Sequence, residues 1–589
     1  MYVETIEHTS ARRAFGRIVT SVCGLLLLIL VPLLTSCGGP APLEYTPIDL
    51  GIPAQALNSP VVGPLPDSTK LHVGVTFKVN QVLINKLEGQ QVHPGQRSKL
   101  EDLANKIGID DATYQKIKDF FNLKGIALNL SKLRTHMTID ARASTFANLF
   151  QTNFVIHKYK GRTFYAPTTP PKLPKFLADS IVAITGLDNY SPGPVHAFSL
   201  QHFNLPKVTR RPGQDCYPLG GTLLPRQVAH AYGYDQLWNR GWHGEKMTVN
   251  LVEVDGYYSD DIQNYFNCIN FQGKLNTVDV DNPPTDAQGE TALDIEMVSG
   301  LARSVNIVDY ETDGNSGGDV WTQVNDELQQ ILNDNTNNAN AGSVVSISLG
   351  MTEGDLTSGD RNAIDQSLQL LSKAEHMRIF VASGDCGAFS DGVYGDLSVS
   401  FPASNPWATS VGGTILNING QQSRENEVAW SDGSDRSSCK NRWGSGGGNS
   451  QVYSRQGWQD ANGVFNQFSG GNHRQIPDVS AVAYDLAVYF QGQWGAVGGT
   501  SAAAPTWAAG LALVNQGLMQ QIGKFTASPQ LFYVVALGVN VMHPYYDVTS
   551  GNNLYYPATP GWDYATGLGT PNLLDFYMVL CDKLMVSNF

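Results

Sequence analysis

With 589 residues, 42% hydrophobic and 16% charged, the chain is long and apolar enough to bury large cores in two domains, which excludes a disordered or low-complexity protein. Its formal charge of -14, with no Lys/Arg block beyond the N-terminus, argues against a nucleic-acid partner, and so acidic and Lys-poor a chain suits an acidic medium.

Arg12, Arg13 and Arg17 precede an apolar stretch over 18–34, followed by Leu34-Thr35-Ser36-Cys37 and Gly38-Gly39-Pro40. This resembles a bacterial lipoprotein signal, with residues 1–36 removed and Cys37 lipidated; a plain transmembrane anchor is the alternative, and either way the rest is exported. Among the remaining cysteines, Cys216, Cys268, Cys386, Cys439 and Cys581, no CxxC or Cys/His metal spacing occurs, and an odd number allows at most two disulfides.

Residues 37–66 are rich in Pro, Gly and small polar residues and read as a linker. From Leu71 the residues Leu71, Val73, Val75, Phe77 and Val79 alternate with polar or small neighbours, the mark of a strand with one buried face. Ser98 and Glu101 form a capping box ahead of Leu100, Leu103, Ala104 and Ile107 at helical spacing. A second helix carries Tyr114, Ile117, Phe120 and Phe121 and stops at Gly125. Strands follow around 126–130, 138–141, 154–159 and 163–165, with Phe146, Leu149 and Phe150 on a helix among them. Residues 67–200 therefore read as a small α+β, ferredoxin-like domain with no cluster of chemistry-bearing side chains. Residues 201–224, which include Arg210-Arg211-Pro212-Gly213, read as an exposed linker open to proteolytic nicking.

Over 225–589 the rhythm becomes strand, helix, strand, helix. Strands are expected over 249–254, 305–310, 344–348 and 378–382, and helices over 290–303, 320–332 and 361–376. Such alternation predicts an α/β fold, a parallel sheet with helices on both faces and the site beyond the carboxyl ends of its strands.

Three features fall there. Glu290 and Asp294, four apart on a predicted helix, place both carboxylates on one face. Asp385, in Ser383-Gly384-Asp385-Cys386-Gly387-Ala388, comes directly after a strand. Gly498-Gly499-Thr500-Ser501-Ala502-Ala503-Ala504-Pro505 offers a sharp turn into a buried helix, with Pro505 in its first turn and Ser501 at its N-terminus, where the helix dipole favours a nucleophile gathering negative charge. Each alone has an ordinary explanation as a solvated helix face, a turn residue or an N-cap.

Together, in this order, they resemble the sedolisin family of serine-carboxyl peptidases, which have a subtilisin-like fold. Supporting stretches are Phe164-Tyr165-Ala166-Pro167 and Gly186-Leu187-Asp188 in the first domain, and Ser400-Phe401-Pro402-Ala403-Ser404, Val411-Gly412-Gly413-Thr414, Gly444-Ser445-Gly446-Gly447-Gly448 and Pro477-Asp478-Val479-Ser480 in the second. The resemblance implies an activation prodomain over 67–200, cleavage within 201–224, between about Pro206 and Gly221, and a peptidase domain over 225–589. It also implies roles. Ser501 attacks the peptide carbonyl, Glu290 is its general base, Asp294 orients Glu290, and Asp385 helps to form the oxyanion hole. A glutamate, with an ordinary pKa of about 4.3, accepts a proton in acid where histidine, at about 6.5, does not, and Asp385 donates a hydrogen bond only while protonated. Both requirements predict activity below neutral pH, as an endopeptidase or a tripeptidyl peptidase acting on proteins or peptides.

One Ca2+ ion is implied near the C-terminus, held by the carboxylates of Asp547 and Asp563 and the carbonyls of Val548, Thr559 and Gly561, an all-oxygen set that suits a hard cation. The chain departs from the family at Thr559, commonly glycine, and at Leu349, usually a tryptophan lining the acidic network that Glu253 often joins. The expected product is a monomeric zymogen inhibited by its own prodomain. A histidine-dependent subtilisin relative and a catalytically silent binding protein on the same fold are the alternatives, and intact Glu290, Asp294, Asp385 and Ser501 weigh against both.

Overall fold

Alternation around Leu71 builds the first sheet. In the computed structural model, which describes residues 43–586 apart from 89–99, 195–221, 336–342, 392, 394, 433–442, 470, 526–528 and 538–541, the strand Lys70–Phe77 pairs antiparallel with His136–Arg142 on one side and Ile181–Thr185 on the other. Asn129–Leu130 completes a four-stranded sheet whose order is that of a ferredoxin-like fold. Leu71, Val73, Val75 and Phe77 point into a core with Ile117, Phe121 and Phe146 of the helices Asp111–Asn122 and Ala143–Leu149. Asp110 caps the first of these by accepting the Thr113 N–H at 2.7 Å.

Three expectations for this domain change. Residues 45–66 are not a bare linker: Tyr45–Pro47 pairs with Lys172–Pro174, and Val61–Pro64 with Phe154–Tyr159, so the domain begins near Tyr45. The expected capped helix after Ser98 is a 3-10 turn, Glu101–Leu103, followed by the single turn Ala104–Ile107, neither with a side-chain cap; Ser98 itself lies outside the described residues. A helix over Gln81–Glu88 was not expected at all.

The second domain centres on an eight-stranded sheet ordered Lys274–Asp279, Asn306–Glu311, Thr248–Glu253, Val344–Ile347, Arg378–Ala382, Thr409–Ile418 and Arg424–Ala429, with Val479–Val482 also paired to Thr409–Ile418. All neighbours are parallel except the last hairpin, Thr409–Ile418 with Arg424–Ala429. Side chains alternate across it. Val249, Leu251, Val344 and Phe380 face a core with the helices Glu290–Leu301 and Thr500–Ile522, while Val345, Ile347, Ile379 and Val381 face Val320–Asn335 and Ser358–Lys373. These are the helices on both faces that the strand rhythm predicts.

Tyr45–Phe589 form one unit. The polar face of the first sheet lies on the outer side of the helices Val320–Asn335 and Ser358–Lys373: Gln366 Nε2 donates to the Phe77 carbonyl (2.7 Å) and Thr135 Oγ1 to Gln329 Oε1 (3.1 Å). A Cβ on Gly74 would stand 3.2 Å from Thr322 Cγ2, so a side chain there would push the two domains apart. Cys268 and Cys386 are disulfide-bonded and Cys581 is free. Cys37, Cys216, Cys439 and the segment between Pro206 and Gly221 lie outside the described residues. No helix among the described residues is long and apolar enough to cross a membrane.

Candidate active site

The site forms at the carboxyl ends of the parallel strands. The chain leaves Thr248–Glu253 and places Asp255 at the N-terminus of the helix Glu290–Leu301. The Asp255 carboxylate accepts the N–H groups of Gln288 (2.7 Å) and Gly289 (3.1 Å) and the Thr291 hydroxyl (2.7 Å). These bonds satisfy orphan donors at the helix start and fix Glu290 in its first turn. Asp255 is not among the residues expected at the site, although a carboxylate just past a strand end is the signal that singles out Asp385.

Every residue of the helix Glu290–Leu301 is buried. Glu290 and Asp294 are therefore not a solvated face; they point into the protein, and Asp294 meets Ser348, the residue after the strand Val344–Ile347. Ser348 Oγ lies 2.7 Å from Asp294 Oδ2 and 3.1 Å from the carbonyl oxygen of Ser501, while the Ser501 hydroxyl donates to the Ser348 carbonyl (3.2 Å). One hydroxyl proton cannot serve two acceptors. A protonated Asp294 donating to Ser348 Oγ frees Ser348 to donate to Ser501 and satisfies both contacts.

Ser501 is the second residue of the helix Thr500–Ile522, entered through Gly499 at φ 147°, a conformation that L side chains rarely adopt. Pro505 falls in the second turn rather than the first. It has no N–H to give the Ser501 carbonyl, and Ser348 Oγ takes that place. Asp385 follows the strand Arg378–Ala382, and its Oδ1 accepts both the backbone N–H (2.8 Å) and the hydroxyl (2.6 Å) of Thr500. Ser348, Leu349, Asp385, Thr500 and Ser501 border one cavity of about 590 Å³, and no histidine borders it among the described residues.

Burial, then the charge of Asp294, holds Glu290 well above the ordinary glutamate value, opposed by hydrogen bonding to Ser501. Burial pushes Asp294 up to about 8, opposed by its hydrogen bonding with Ser348 and Glu253, and Asp385 up to about 7 against the bonds from Thr500. Glu253 is raised well above its ordinary value by burial and next by Asp294. An isolated glutamate near its ordinary pKa is thus not what the fold provides. The carboxyls share protons as a set, because a dry cluster cannot hold a full charge on each member.

The residues expected to hold calcium come together. Asp547 Oδ2 accepts the Gly561 N–H (2.8 Å), Asp563 Oδ2 accepts the Thr559 N–H (2.8 Å), and Thr566 Oγ1 joins Asp563 Oδ1 (3.2 Å) to the Val548 carbonyl (3.4 Å). Gly561 needs its glycine at φ 78°, whereas Thr559 is not among the residues at positive φ, so threonine costs its backbone nothing. Burial pushes Asp563 up to about 7 and raises Asp547. One exposed carboxyl, Asp547, and one buried one, Asp563, among backbone oxygens fit a hard divalent cation.

Fold and site together define a serine peptidase of subtilisin-like architecture in which carboxyl groups stand where histidine would. The model of the pro-kumamolisin activation domain matches residues 59–190, and that of the subtilase family matches 280–530. Kumamolisin from Bacillus sp. (strain MN-32) is 30% identical over 428 residues, covering 68% of this chain and 70% of that protein. Sedolisin from Pseudomonas sp. (strain 101) is 26% identical over 461 residues, covering 74% and 73%. The solved structure of Pseudomonas sedolisin complexed with two molecules of pseudo-iodotyrostatin aligns with a TM-score of 0.52 at 26% identity, over 63% of this chain and all of that one. The chain belongs to the sedolisin family: it is an acid serine-carboxyl peptidase, made as a zymogen with an inhibitory prodomain.

Proposed function

We propose that Ser501 is the nucleophile, Glu290 its general base, Asp294 the group that orients Glu290, and Asp385 the donor to the oxyanion. The observation that carries this is Ser348, whose side chain reaches Asp294 and the Ser501 carbonyl while its own carbonyl takes the Ser501 hydroxyl. This geometry supports a proton on Asp294 and the pair's single charge on Glu290. The Ser501 hydroxyl then turns from the Ser348 carbonyl to Glu290, gives up its proton as Oγ adds to the peptide carbonyl, and leaves the oxyanion to Asp385. Glu290 returns the proton to the leaving amine. Activity falls once Asp385 loses its proton, above about 7.

The same reading makes residues 1–36 a removed signal, Cys37 a lipid anchor, the segment between Pro206 and Gly221 the activation cleavage region, and the domain beginning at Pro225 the active enzyme. A Ca2+ ion held by Asp547, Asp563 and the carbonyls of Val548, Thr559 and Gly561 ties two C-terminal loops together and takes no part in the chemistry. Both the convergence of those residues and the raised carboxyls support it.

The test compares the chain with Ser501→Ala at about pH 4, near the ordinary glutamate pKa. Loss of the prodomain by mass and cleavage of a mixed peptide library are expected from the unmodified chain alone, and the cut sites separate internal cleavage from removal of tripeptides. Equal cleavage by Ser501→Ala would overturn the nucleophile.

A further inference from the structure

The two oxygens of the Asp385 carboxyl are held differently. Oδ1 accepts the Thr500 N–H (2.8 Å) and the Thr500 hydroxyl (2.6 Å). A third bond sets the direction of that hydroxyl: the Gly384 N–H donates to Thr500 Oγ1 (3.1 Å), so the oxygen accepts from Gly384 and its own proton goes to Asp385. Oδ2 is buried and has no hydrogen-bond partner, in a side chain that borders the same cavity as Ser501. An unsatisfied buried oxygen costs free energy unless something else completes it.

We propose that Thr500 is a positioning residue that fixes the Asp385 proton on Oδ2, the oxygen left to meet the peptide oxygen; this rests on the reading of Ser501 as nucleophile and Asp385 as oxyanion donor. An oxygen that already accepts two hydrogen bonds is a poor seat for a proton, because the proton would have to displace one of the donors. The neutral carboxyl is therefore locked as Oδ1 carbonyl and Oδ2 hydroxyl. As the Ser501 Oγ–C bond forms, the carbonyl π pair moves onto the peptide oxygen, the Ser501 proton goes to Glu290, and Oδ2–H donates to the new oxyanion without leaving Asp385. Collapse of the intermediate returns the pair to the carbonyl. A donor already aimed at the developing charge needs no reorganisation during the reaction.

Thr500 also sets the range in which the device works. Its two hydrogen bonds favour the charged carboxylate and oppose the upward push of burial. Removing the hydroxyl makes Asp385 hold its proton to higher pH, yet leaves that proton free to sit on either oxygen. Thr500 thus lowers the upper pH limit in exchange for alignment.

The experiment is kcat and KM of the mature enzyme, from the full chain, across pH 3–8 for Thr500→Val, Thr500→Ser and Asp385→Ala. Valine keeps the shape and the backbone N–H and removes only the hydroxyl. Thr500→Val is expected to lose kcat by roughly tenfold or more, somewhat less than loss of a whole oxyanion donor, with KM little changed. The alkaline limb of its kcat profile moves to higher pH, and Thr500→Ser restores both rate and limb. A merely structural threonine would lower thermal stability without moving the limb. Wild-type kcat with an unmoved limb in Thr500→Val, or no rescue by serine, overturns the proposal. If Thr500→Val does not fold, Thr500→Cys, with a weaker donor, replaces it; an intermediate kcat is expected, and full activity would refute the proposal. Wild-type rates in Asp385→Ala would remove the underlying oxyanion reading, whereas loss there with no effect in Thr500→Val removes this proposal alone.

Discussion

The prodomain is held to the peptidase domain by an ionic clasp, and cutting it should loosen the zymogen measurably. Asp326, on the helix Val320–Asn335, is nearly buried. Its Oδ1 meets His136 Nε2 at 2.6 Å and its Oδ2 meets His72 Nε2 at 2.7 Å, both from the prodomain sheet. His72 Nδ1 is backed by Asp140 at 2.8 Å, Asp281 stands 3.5 Å from Nε2, and Thr76 and Asn325 flank His136 Nδ1. Removing one partner of a buried charge pair costs about 3–5 kcal/mol, and the partial exposure of His72 favours the lower end, so Asp326→Asn should weaken docking roughly a hundredfold. The histidines depress Asp326 below its ordinary 3.8 despite its burial. A depressed carboxyl contributes stability that is present above 3.8 and lost as pH falls through the docked value. His72, which Asp140 and Asp326 raise to about 11 against burial, contributes fully below its ordinary 6.5 and loses its share as pH rises from there toward 11. The acid limb therefore belongs to Asp326. Hydrogen exchange in the strands Lys70–Phe77 and His136–Arg142, corrected for intrinsic rate and measured in a Ser501→Ala background, should be roughly a hundredfold faster in Asp326→Asn at pH 5.5. The gap between the two chains should narrow progressively once the pH falls below about 4, as Asp326 begins to lose its advantage. Equal exchange at pH 5.5, or a gap that widens as the pH falls toward 3, would refute the clasp.

Two other outcomes follow from the buried carboxyls. Asp294, Asp188 and Asp281 (about 8) and Asp385 and Glu311 (about 7) all hold protons more tightly folded than unfolded, so their stability is present below about 4 and is lost as pH rises toward 8; the melting temperature of Ser501→Ala should fall from pH 4.5 to pH 8, and a rise would contradict the burial account. Chelation should remove bound calcium and lower the melting temperature of the unmodified chain but leave that of Asp547→Asn unchanged; a chain purified without calcium and indifferent to chelator would dispose of the site.

The four residues proposed for catalysis were legible because each sits beside a regular element: Glu290 and Asp294 at helical spacing, Asp385 past an apolar strand, Ser501 at a glycine turn. Asp255 carries the signal that marks Asp385, a carboxylate just past an apolar strand, but its role shows only with the helix start that it holds; Ser348, a lone serine after a strand, carries no periodic signal until the helix it meets is in place. The strand Lys274–Asp279 escaped notice because it is a half-exposed edge strand with little apolar alternation. Residues 45–66 look like a linker because their strands are short and rich in proline, and their partners, Phe154–Tyr159 and Lys172–Pro174, lie about a hundred residues on. His72, Gly74 and Thr76 look like a solvent face, and only the docked helices explain why two of them tolerate burial.

Docking brings a second acidic patch together, and its sign is opposite. Asp188 of the prodomain, in the stretch Gly186-Leu187-Asp188, faces Asp360 and Asp319 at the starts of the helices Ser358–Lys373 and Val320–Asn335; Ser191 donates to Asp360, which also accepts the Thr357 hydroxyl at 2.7 Å, and Thr322 donates to Asp319 at 2.6 Å. Burial, then the charge of Asp360, pushes Asp188 up to about 8, and burial, again followed by Asp360, raises Asp319. Raised carboxyls favour the docked state while protonated, so this patch strengthens as pH falls toward 4 and repels as it rises toward 8. Below that point the Asp326 clasp weakens, together with the more exposed pairs Glu88–Lys373 and Asp355–Lys160. The interface is therefore tightest in mild acid and loosens on both sides, and because the second patch is fully protonated by then, opening at low pH is led by the buried carboxylate that two histidines keep ionised.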